Sequence, residues 1–221
     1  MDIAKNTVSA QNQVGEKGYG ESFCDGGLKV LFVGNSITRH GPKPEIGWEN
    51  DWGMAATAKE NDYVHITIKM LEERYGKVSY FIANCGEWES NYYKDDIICK
   101  WQKARDFKAD VVVIRIGENM WVAKEMFEKE PIAPHFAKMI EYFCSNENAK
   151  VVLTNLFWRS DVIDSAIAKV AKDKGYTLVE LGDLGDCEEN KAIGKFAYSA
   201  VSLHPNDKGM LNIAKRIVEA F

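Results

Sequence analysis

The stretch LKVLFVGNSIT, residues 28–38, decides the fold, because an apolar run ends at once in a tight turn. Residues 30–33 predict a buried strand, and Gly34 and Asn35 end it directly before Ser36. Open α/β sheets place their ligands at the carboxyl ends of strands, so Ser36 is a candidate nucleophile. The alternative is that Ser36 only caps a helix that follows the turn, a position that serine favours.

Strand and helix patterns alternate along the rest of the chain. Apolar runs predict strands at 29–33, 78–83, 111–116, 150–154 and 177–181. Helical patterns lie at 63–75, 91–106, 123–146, 161–174 and 207–220, and Pro131 and Pro134 are expected to divide the third. Runs of continuous apolarity are typical of parallel strands buried on both faces. The alternation predicts an α/β fold with helices on both faces of a parallel sheet.

The pattern also suggests how the chain is divided. Residues 1–27 are weakly patterned, and we interpret them as an N-terminal arm or an edge element. Residues 28–221 predict a single α/β domain.

The composition excludes several classes of protein. With 46% apolar residues, 28% charged residues and a net charge of -5, the chain has no basic block, so no nucleic-acid partner is expected. No window approaches the roughly 18 apolar residues of a membrane span. The polar first residues lack the apolar core of a signal peptide, which predicts a cytoplasmic protein. The cysteines lack zinc spacing and the first turn lacks a phosphate-binding glycine loop, so neither metal nor cofactor is expected.

Three polar groups follow predicted strands or precede the last helix. Ser36 follows the first strand, Asn119 follows the third in the motif Gly117-Glu118-Asn119, and His204 precedes the C-terminal helix. In a parallel sheet these positions share one edge. A hydroxyl, an imidazole and an amide donor on one edge make an acyl-transfer site. The alternatives are a helix-capping Asn119 and a surface histidine.

With these motifs the sequence resembles the SGNH hydrolases, also called GDSL esterases or lipases, from about residue 28 onward. GNSIT at 34–38 matches the first block, with Asn35 where many members have aspartate. Asn84-Cys85-Gly86, Gly117-Glu118-Asn119 and His204 match the other blocks. The resemblance implies a three-layer α/β/α sandwich with a flavodoxin-like, five-stranded parallel sheet, and no metal.

The resemblance also implies roles in serine-dependent ester hydrolysis. Ser36 would be the nucleophile and His204 the general base. The oxyanion hole would combine the N–H of Ser36, the amide of Asn119 and one N–H of the second block. That N–H comes from Gly86 or from Glu89, which stands where the family usually has glycine.

A second departure from the family concerns the acid that orients the histidine. The position three residues before His204 is Val201, where aspartate is usual. Losing that acid can cost about 10⁴-fold in rate. The histidine is then held by a backbone carbonyl or by an acid from elsewhere, or the site is inactive. Glu87, Glu89, Glu118 and Asp207 are the acids nearby in sequence.

Arg115 stands inside an apolar strand. Because a buried arginine is rarely unpaired, we expect it to pair with Glu89 or Glu87. The alternative is that its tip reaches solvent.

The long loop at 39–62 bears on the substrate. Trp48 and Trp52 are candidates to stack on a sugar ring, with Asn35 as a further substrate contact, or both indoles fill a local core. We expect removal of a short acyl group from a carbohydrate or other small polar molecule. The alternatives are a lysophospholipase or thioesterase, and a non-catalytic carbohydrate-binding protein on a decayed hydrolase fold. The sequence leaves the oligomeric state open.

Overall fold

The apolar run at residues 28–34 forms a central strand of a six-stranded sheet. A computed structural model describes residues 19–120 and 124–221 of the chain. The strands are β1 Tyr19–Phe23, β2 Leu28–Gly34, β3 Val78–Asn84, β4 Val111–Arg115, β5 Lys150–Thr154 and β6 Thr177–Val179. Their order across the sheet is β1-β3-β2-β4-β5-β6. Strands β2 to β6 pair in parallel, and β1 pairs antiparallel with β3.

The parallel part of this sheet agrees with the sequence. All five predicted strands are present within a few residues of their expected bounds, and their order is that of flavodoxin-like sheets. Strand β1, which lies in the N-terminal segment interpreted as an arm or an edge element, adds an antiparallel edge. Residues 1–18 of that segment lie outside the described residues, and the division of the chain at residue 27 stays a prediction.

Helices cover both faces of the sheet. Their bounds are α1 Tyr63–Tyr75, α2 Gly86–Glu89, α3 Gln102–Asp106, α4 Lys124–Lys129, α5 Ile132–Phe143, α6 Asp161–Lys174, α7 Gly182–Asp186, α8 Ser199–Ser202 and α9 Asp207–Glu219. Helices α1 and α9 pack together on one face, and α5 packs against α6 on the other. Each layer has its own apolar core, so the fold is a three-layer α/β/α sandwich. No helix among the described residues has the length and apolarity to cross a membrane.

Two of the predicted helical stretches are interrupted. The division is confirmed at Pro131, since α4 ends before it and α5 begins after it, whereas Pro134 lies in the first turn of α5 and does not interrupt the helix. The helix predicted at 91–106 is wrong in its first part, where residues 91–96 form turns and a 3₁₀ helix covers Ile97–Trp101. The physical reason is local, because the Asn91 side chain donates to the Glu87 carbonyl and stabilises a turn.

The turn after β2 depends on a glycine. A Cβ atom at Gly34 would lie 2.7 Å from the carbonyl oxygen of Arg115 on the neighbouring strand and would overlap the Thr38 side chain. Only glycine therefore fits at this point. The close approach brings the residues after β2 and β4 together at the carboxyl edge of the sheet.

The loop before α9 is fixed at the same edge. Asn206 caps α9 by accepting a 3.0 Å hydrogen bond from the N–H of Gly209. The carbonyl of His204 accepts from the N–H of Ala192 at 3.0 Å. These bonds hold His204 at a defined distance from the end of β2.

Candidate active site

Ser36 and His204 meet at the carboxyl edge of the sheet. The hydroxyl oxygen of Ser36 lies 2.8 Å from Nε2 of His204. The other ring nitrogen, Nδ1, lies 2.9 Å from the carbonyl oxygen of Ala200. Because a carbonyl only accepts hydrogen bonds, Nδ1 carries the proton and Nε2 presents its lone pair to the hydroxyl. The imidazole is therefore in the tautomer that a general base requires.

The Ala200 carbonyl occupies the role that the missing acid would have. Val201 is buried in the apolar core on the same short helix. Among the described residues no carboxylate bonds to His204, and the nearby Asp207 instead accepts from the N–H of Thr57 at 2.8 Å. The group that holds the His204 ring in the structure is therefore a backbone carbonyl and not an acid from elsewhere in the described residues.

Burial keeps the imidazole neutral. His204 is 8% exposed, and its removal from water lowers its pKa to about 4. The hydrogen bond to the Ala200 carbonyl opposes this effect, and the His40 ring and Arg115 add to it. At neutral pH the ring is thus free to accept a proton.

Trp158 supports the ring from the side and was missed at the sequence level. Its ring centroid lies 4.9 Å from that of His204 at an interplanar angle of 83°, an edge-to-face contact. Its indole N–H donates to the Leu203 carbonyl at 3.3 Å. The signal available was its position, since Trp158 follows strand β5 at the same carboxyl edge.

A cavity opens above the dyad. It has a volume of about 400 Å³ and brings together Ser36, His204, Gly86 and Asn119. Four of the residues predicted from separate motifs therefore share one space. Glu89, the other candidate for a backbone donor, does not line this cavity and is 0% exposed.

The candidate oxyanion donors differ in how they are held. Asn119 donates one amide hydrogen to Oε2 of Glu89 at 2.7 Å, and its second amide hydrogen remains for a ligand in the cavity. The N–H of Gly86 donates to Oδ1 of Asn84 at 2.9 Å, so a substrate oxygen has to share this donor. Between the two second-block candidates, the geometry favours Gly86 over Glu89.

A network of buried polar side chains lies beneath Ser36. Arg115 pairs with Glu118 at 2.5 Å and donates to Oδ1 of Asn35 at 2.6 Å. Asn35 in turn donates to Glu118 at 2.7 Å and to Glu89 at 3.0 Å. The prediction that Arg115 pairs with Glu89 or Glu87 is wrong, because Glu118, three residues further along the chain, forms the ion pair with the guanidinium.

This network also corrects the expectation for Asn35. The residue is 1% exposed, and both ends of its amide are bonded to protein groups. Its side chain has no group left for a substrate. Asn35 lines the cavity, but its side chain joins the first, second and third blocks and leaves no polar group for a ligand.

The expectation that two tryptophans bind substrate is wrong as well. Trp48 is 0% exposed and Trp52 is 6% exposed, and their rings pack edge to face at 6.0 Å. Their indole N–H groups donate to the carbonyls of His40 at 2.9 Å and Ala56 at 3.0 Å. The loop folds over these large apolar rings and supplies the carbonyl partners that buried indoles need. They form the local core that was the alternative interpretation.

The same loop contributes His40 to the cavity. Its Nδ1 donates to the Gly41 carbonyl at 2.5 Å, and burial lowers its pKa. A neutral ring in this tautomer leaves Nε2 as an acceptor. Tyr198 lines the cavity and is exposed. Neither residue stands in a motif that sequence reasoning could use.

Solved structures share this fold. A GDSL-like lipase from Bacteroides uniformis has a TM-score of 0.59 and 13% identity over 88% of this chain and 95% of its own. One from Bacteroides ovatus has a TM-score of 0.54 and 15% identity over 86% of this chain and 96% of its own. A family two carbohydrate esterase from Cellvibrio japonicus has a TM-score of 0.53 and 12% identity over 87% of this chain and 59% of its own.

These likenesses establish the class of fold. The chain has the α/β/α architecture of the SGNH, or GDSL, hydrolases, as its motifs predict. No family model and no curated protein sequence matches the chain.

Proposed function

We propose that the chain is an ester hydrolase of the SGNH type, with Ser36 as nucleophile and His204 as general base. The contact of 2.8 Å between the Ser36 hydroxyl and Nε2 of His204 carries this proposal. The Ala200 carbonyl supports it, because it leaves Nε2 unprotonated. A hydroxyl beside a neutral imidazole acceptor is the arrangement of an activated serine.

The reaction proceeds by acyl transfer. As the Ser36 oxygen attacks the ester carbonyl, Nε2 of His204 takes the hydroxyl proton. The carbonyl oxygen becomes an oxyanion that the amide of Asn119 and the N–H groups of Ser36 and Gly86 stabilise. His204 then gives its proton to the departing alcohol, which leaves an acyl-serine. Water, deprotonated by His204, releases the acid and restores the serine.

The donors and the dyad contribute differently to the rate. One oxyanion donor is worth roughly 10²–10³ in kcat. The Ala200 carbonyl orients the imidazole as an aspartate would, but it carries no full charge to stabilise the imidazolium. We expect slower turnover than in a complete triad, and a correspondingly greater dependence on the oxyanion hole.

For the substrate we propose a short acyl group on a carbohydrate or other small polar alcohol. The cavity of about 400 Å³ is small, and His40, Asn84 and Glu87 give its wall polar groups. The shared fold of a carbohydrate esterase supports the same class. A lipid tail or a long acyl thioester would need a longer apolar groove.

Labelling with a fluorophosphonate probe tests the proposed nucleophile. We expect the probe to modify Ser36 in the wild-type chain, located by peptide mass spectrometry, and not to modify Ser36→Ala. Ser36→Ala and His204→Ala should each lower hydrolysis of p-nitrophenyl acetate by about 10³-fold or more. A wild-type chain without labelling or turnover would favour the non-catalytic, carbohydrate-binding alternative.

A substrate panel tests the proposed class. Acetylated xylose, a lysophospholipid and a long-chain acyl thioester are compared by kcat/KM at one pH. We expect the acetylated sugar to be preferred at least about tenfold, a difference of about 1.4 kcal/mol in transition-state binding. Preference for either of the other two substrates would replace the carbohydrate proposal and leave the serine mechanism in place.

A further inference from the structure

The Glu89 carboxylate is buried where the family usually has a glycine. Its Oε1 accepts from the N–H groups of Gly117 at 2.8 Å and Asn119 at 3.0 Å, and from the Asn35 amide at 3.0 Å. Its Oε2 accepts from the Asn119 amide at 2.7 Å. A carboxylate removed from water is costly unless hydrogen bonds replace its hydration. Four N–H donors replace it here.

Asn119 donates two of these four hydrogen bonds, one to each oxygen of the carboxylate. The backbone N–H binds Oε1 and the side-chain amide binds Oε2. A carboxylate accepts hydrogen bonds and cannot donate them when ionised. The amide must therefore turn its nitrogen, not its oxygen, toward Glu89, and this leaves one N–H for the cavity.

We propose that Glu89 is a positioning residue for the oxyanion hole, which it serves by fixing the orientation of the Asn119 amide. This inference rests on the proposed function. Without the carboxylate the amide could rotate by half a turn and present its carbonyl oxygen to the oxyanion, which would repel the charge. The glutamate thus contributes through Asn119 and not through its own backbone N–H.

The surroundings of Glu89 act on its charge in opposite directions. Burial raises the pKa of Glu89, and the Glu118 carboxylate across Asn35 adds to the increase, while the donors on Asn119 and Asn35 oppose it. Arg115 forms an ion pair with Glu118 at 2.5 Å and so compensates the second charge. The network holds two carboxylates beneath the site in fixed directions.

A double-mutant cycle tests the inference. Glutamine at position 89 keeps one acceptor oxygen but turns an NH₂ group toward the NH₂ group of Asn119. We expect Glu89→Gln and Asn119→Ala each to lower kcat for p-nitrophenyl acetate by about 10²-fold, with KM within about threefold of wild type. The double variant should lie within about threefold of Asn119→Ala, because both changes remove one interaction.

Two results would overturn the inference while the wild-type chain keeps Ser36-dependent turnover. One is a folded Glu89→Gln variant with kcat within twofold of wild type. The other is a double variant whose loss equals the product of the two single losses. Failure of the proposed function looks different, because the wild-type chain would then show no Ser36-dependent turnover at all, and the inference would fall with it.

A reversed pair covers the case in which Glu89→Gln does not fold. Glu89→Gln combined with Asn119→Asp keeps one carboxylate and one amide and reverses the direction of their hydrogen bond. We expect this pair to fold with a Tm near that of wild type and to have kcat at or below the level of Asn119→Ala. A reversed pair that also fails to fold would show that Glu89 only stabilises its own loop, and this would overturn the inference.

Discussion

Nε2 of His204 lies 2.8 Å from the hydroxyl oxygen of Ser36, although 168 residues separate them in the chain. The parallel sheet produces this contact, because β2 delivers Ser36 to its carboxyl edge and the capped start of α9 holds His204 above the same edge. The contact between these distant residues is therefore a consequence of the topology. The surroundings of the imidazole determine its pKa and its orientation.

The first prediction concerns pH. Burial lowers the pKa of His204 to about 4, so the ring stays neutral as the pH falls through the range in which an ordinary histidine takes a proton. We expect kcat/KM for p-nitrophenyl acetate at pH 6 to lie within twofold of its value at pH 8. A half-maximal point near pH 6.5 would contradict a buried base.

The second prediction concerns the missing acid. Val201→Asp restores the family residue, but Val201 is 1% exposed and Nδ1 of His204 already donates to Ala200. We expect the variant to lose at least about 2 kcal/mol of unfolding free energy, since it buries a charge in an apolar core, and to gain no rate. Urea unfolding and kcat measure the two effects, with Val201→Asn as the uncharged control. A tenfold rise in kcat would contradict this expectation and show that an aspartate at position 201 can displace the Ala200 carbonyl from Nδ1 of His204.

The third prediction concerns Trp158, whose ring packs edge to face on His204 at 4.9 Å. Such a pair is worth about 0.5–1.5 kcal/mol, which corresponds to a two- to tenfold effect on a step that needs the ring in place. Trp158→Ala should lower kcat by about two- to tenfold, and Trp158→Phe should retain most of the wild-type kcat. Equal kcat values for the two variants would show that the aromatic contact with His204 does not contribute to the rate.

The fourth prediction separates core from substrate contact. Trp48 is fully buried, so Trp48→Ala should lower the unfolding free energy by about 3–5 kcal/mol. Trp48→Phe should unfold at lower urea concentration than wild type and keep its KM for an acetylated sugar. A KM that rises more than threefold in a folded Trp48→Phe variant would show that Trp48 contacts the substrate.

The fifth prediction concerns the buried ion pair. Arg115→Met leaves the Glu118 carboxylate without its partner at 2.5 Å, which should cost about 3–5 kcal/mol of unfolding free energy. Arg115→Met combined with Glu118→Leu removes both charges and should recover much of that loss. If the double variant were less stable than Arg115→Met alone, the pair would not be the source of the effect.

The sequence predicts the architecture well because the sheet is buried on both faces. Strands β2 and β4 are nearly continuous apolar runs with fully buried residues, and glycine ends or follows each one. Strand β1 was harder to predict, since only Tyr19 is buried and the next residues face solvent in part or fully. A strand with a single buried residue lacks the pattern of apolar residues from which a strand is predicted.

The residues of the candidate site could be predicted from the sequence better than the contacts between them. Ser36, Asn119 and His204 follow from their places at strand ends and before a helix. The group that holds Nδ1 could not be predicted, because every residue has a carbonyl and only the geometry of helix α8 selects Ala200. The burial of Trp48 was equally hidden, since a loop tryptophan can face solvent or fold inward with the same sequence.

The Ala200 carbonyl gives this site an unusual kind of robustness. An acid that aims a histidine can be lost by changing a single codon, but a main-chain oxygen is present whatever residue stands at position 200. Only changes that displace the peptide backbone of residues 199–202, such as a proline or a deletion there, can take this support away. The orientation of the His204 ring thus depends on the backbone conformation and not on the identity of any one side chain.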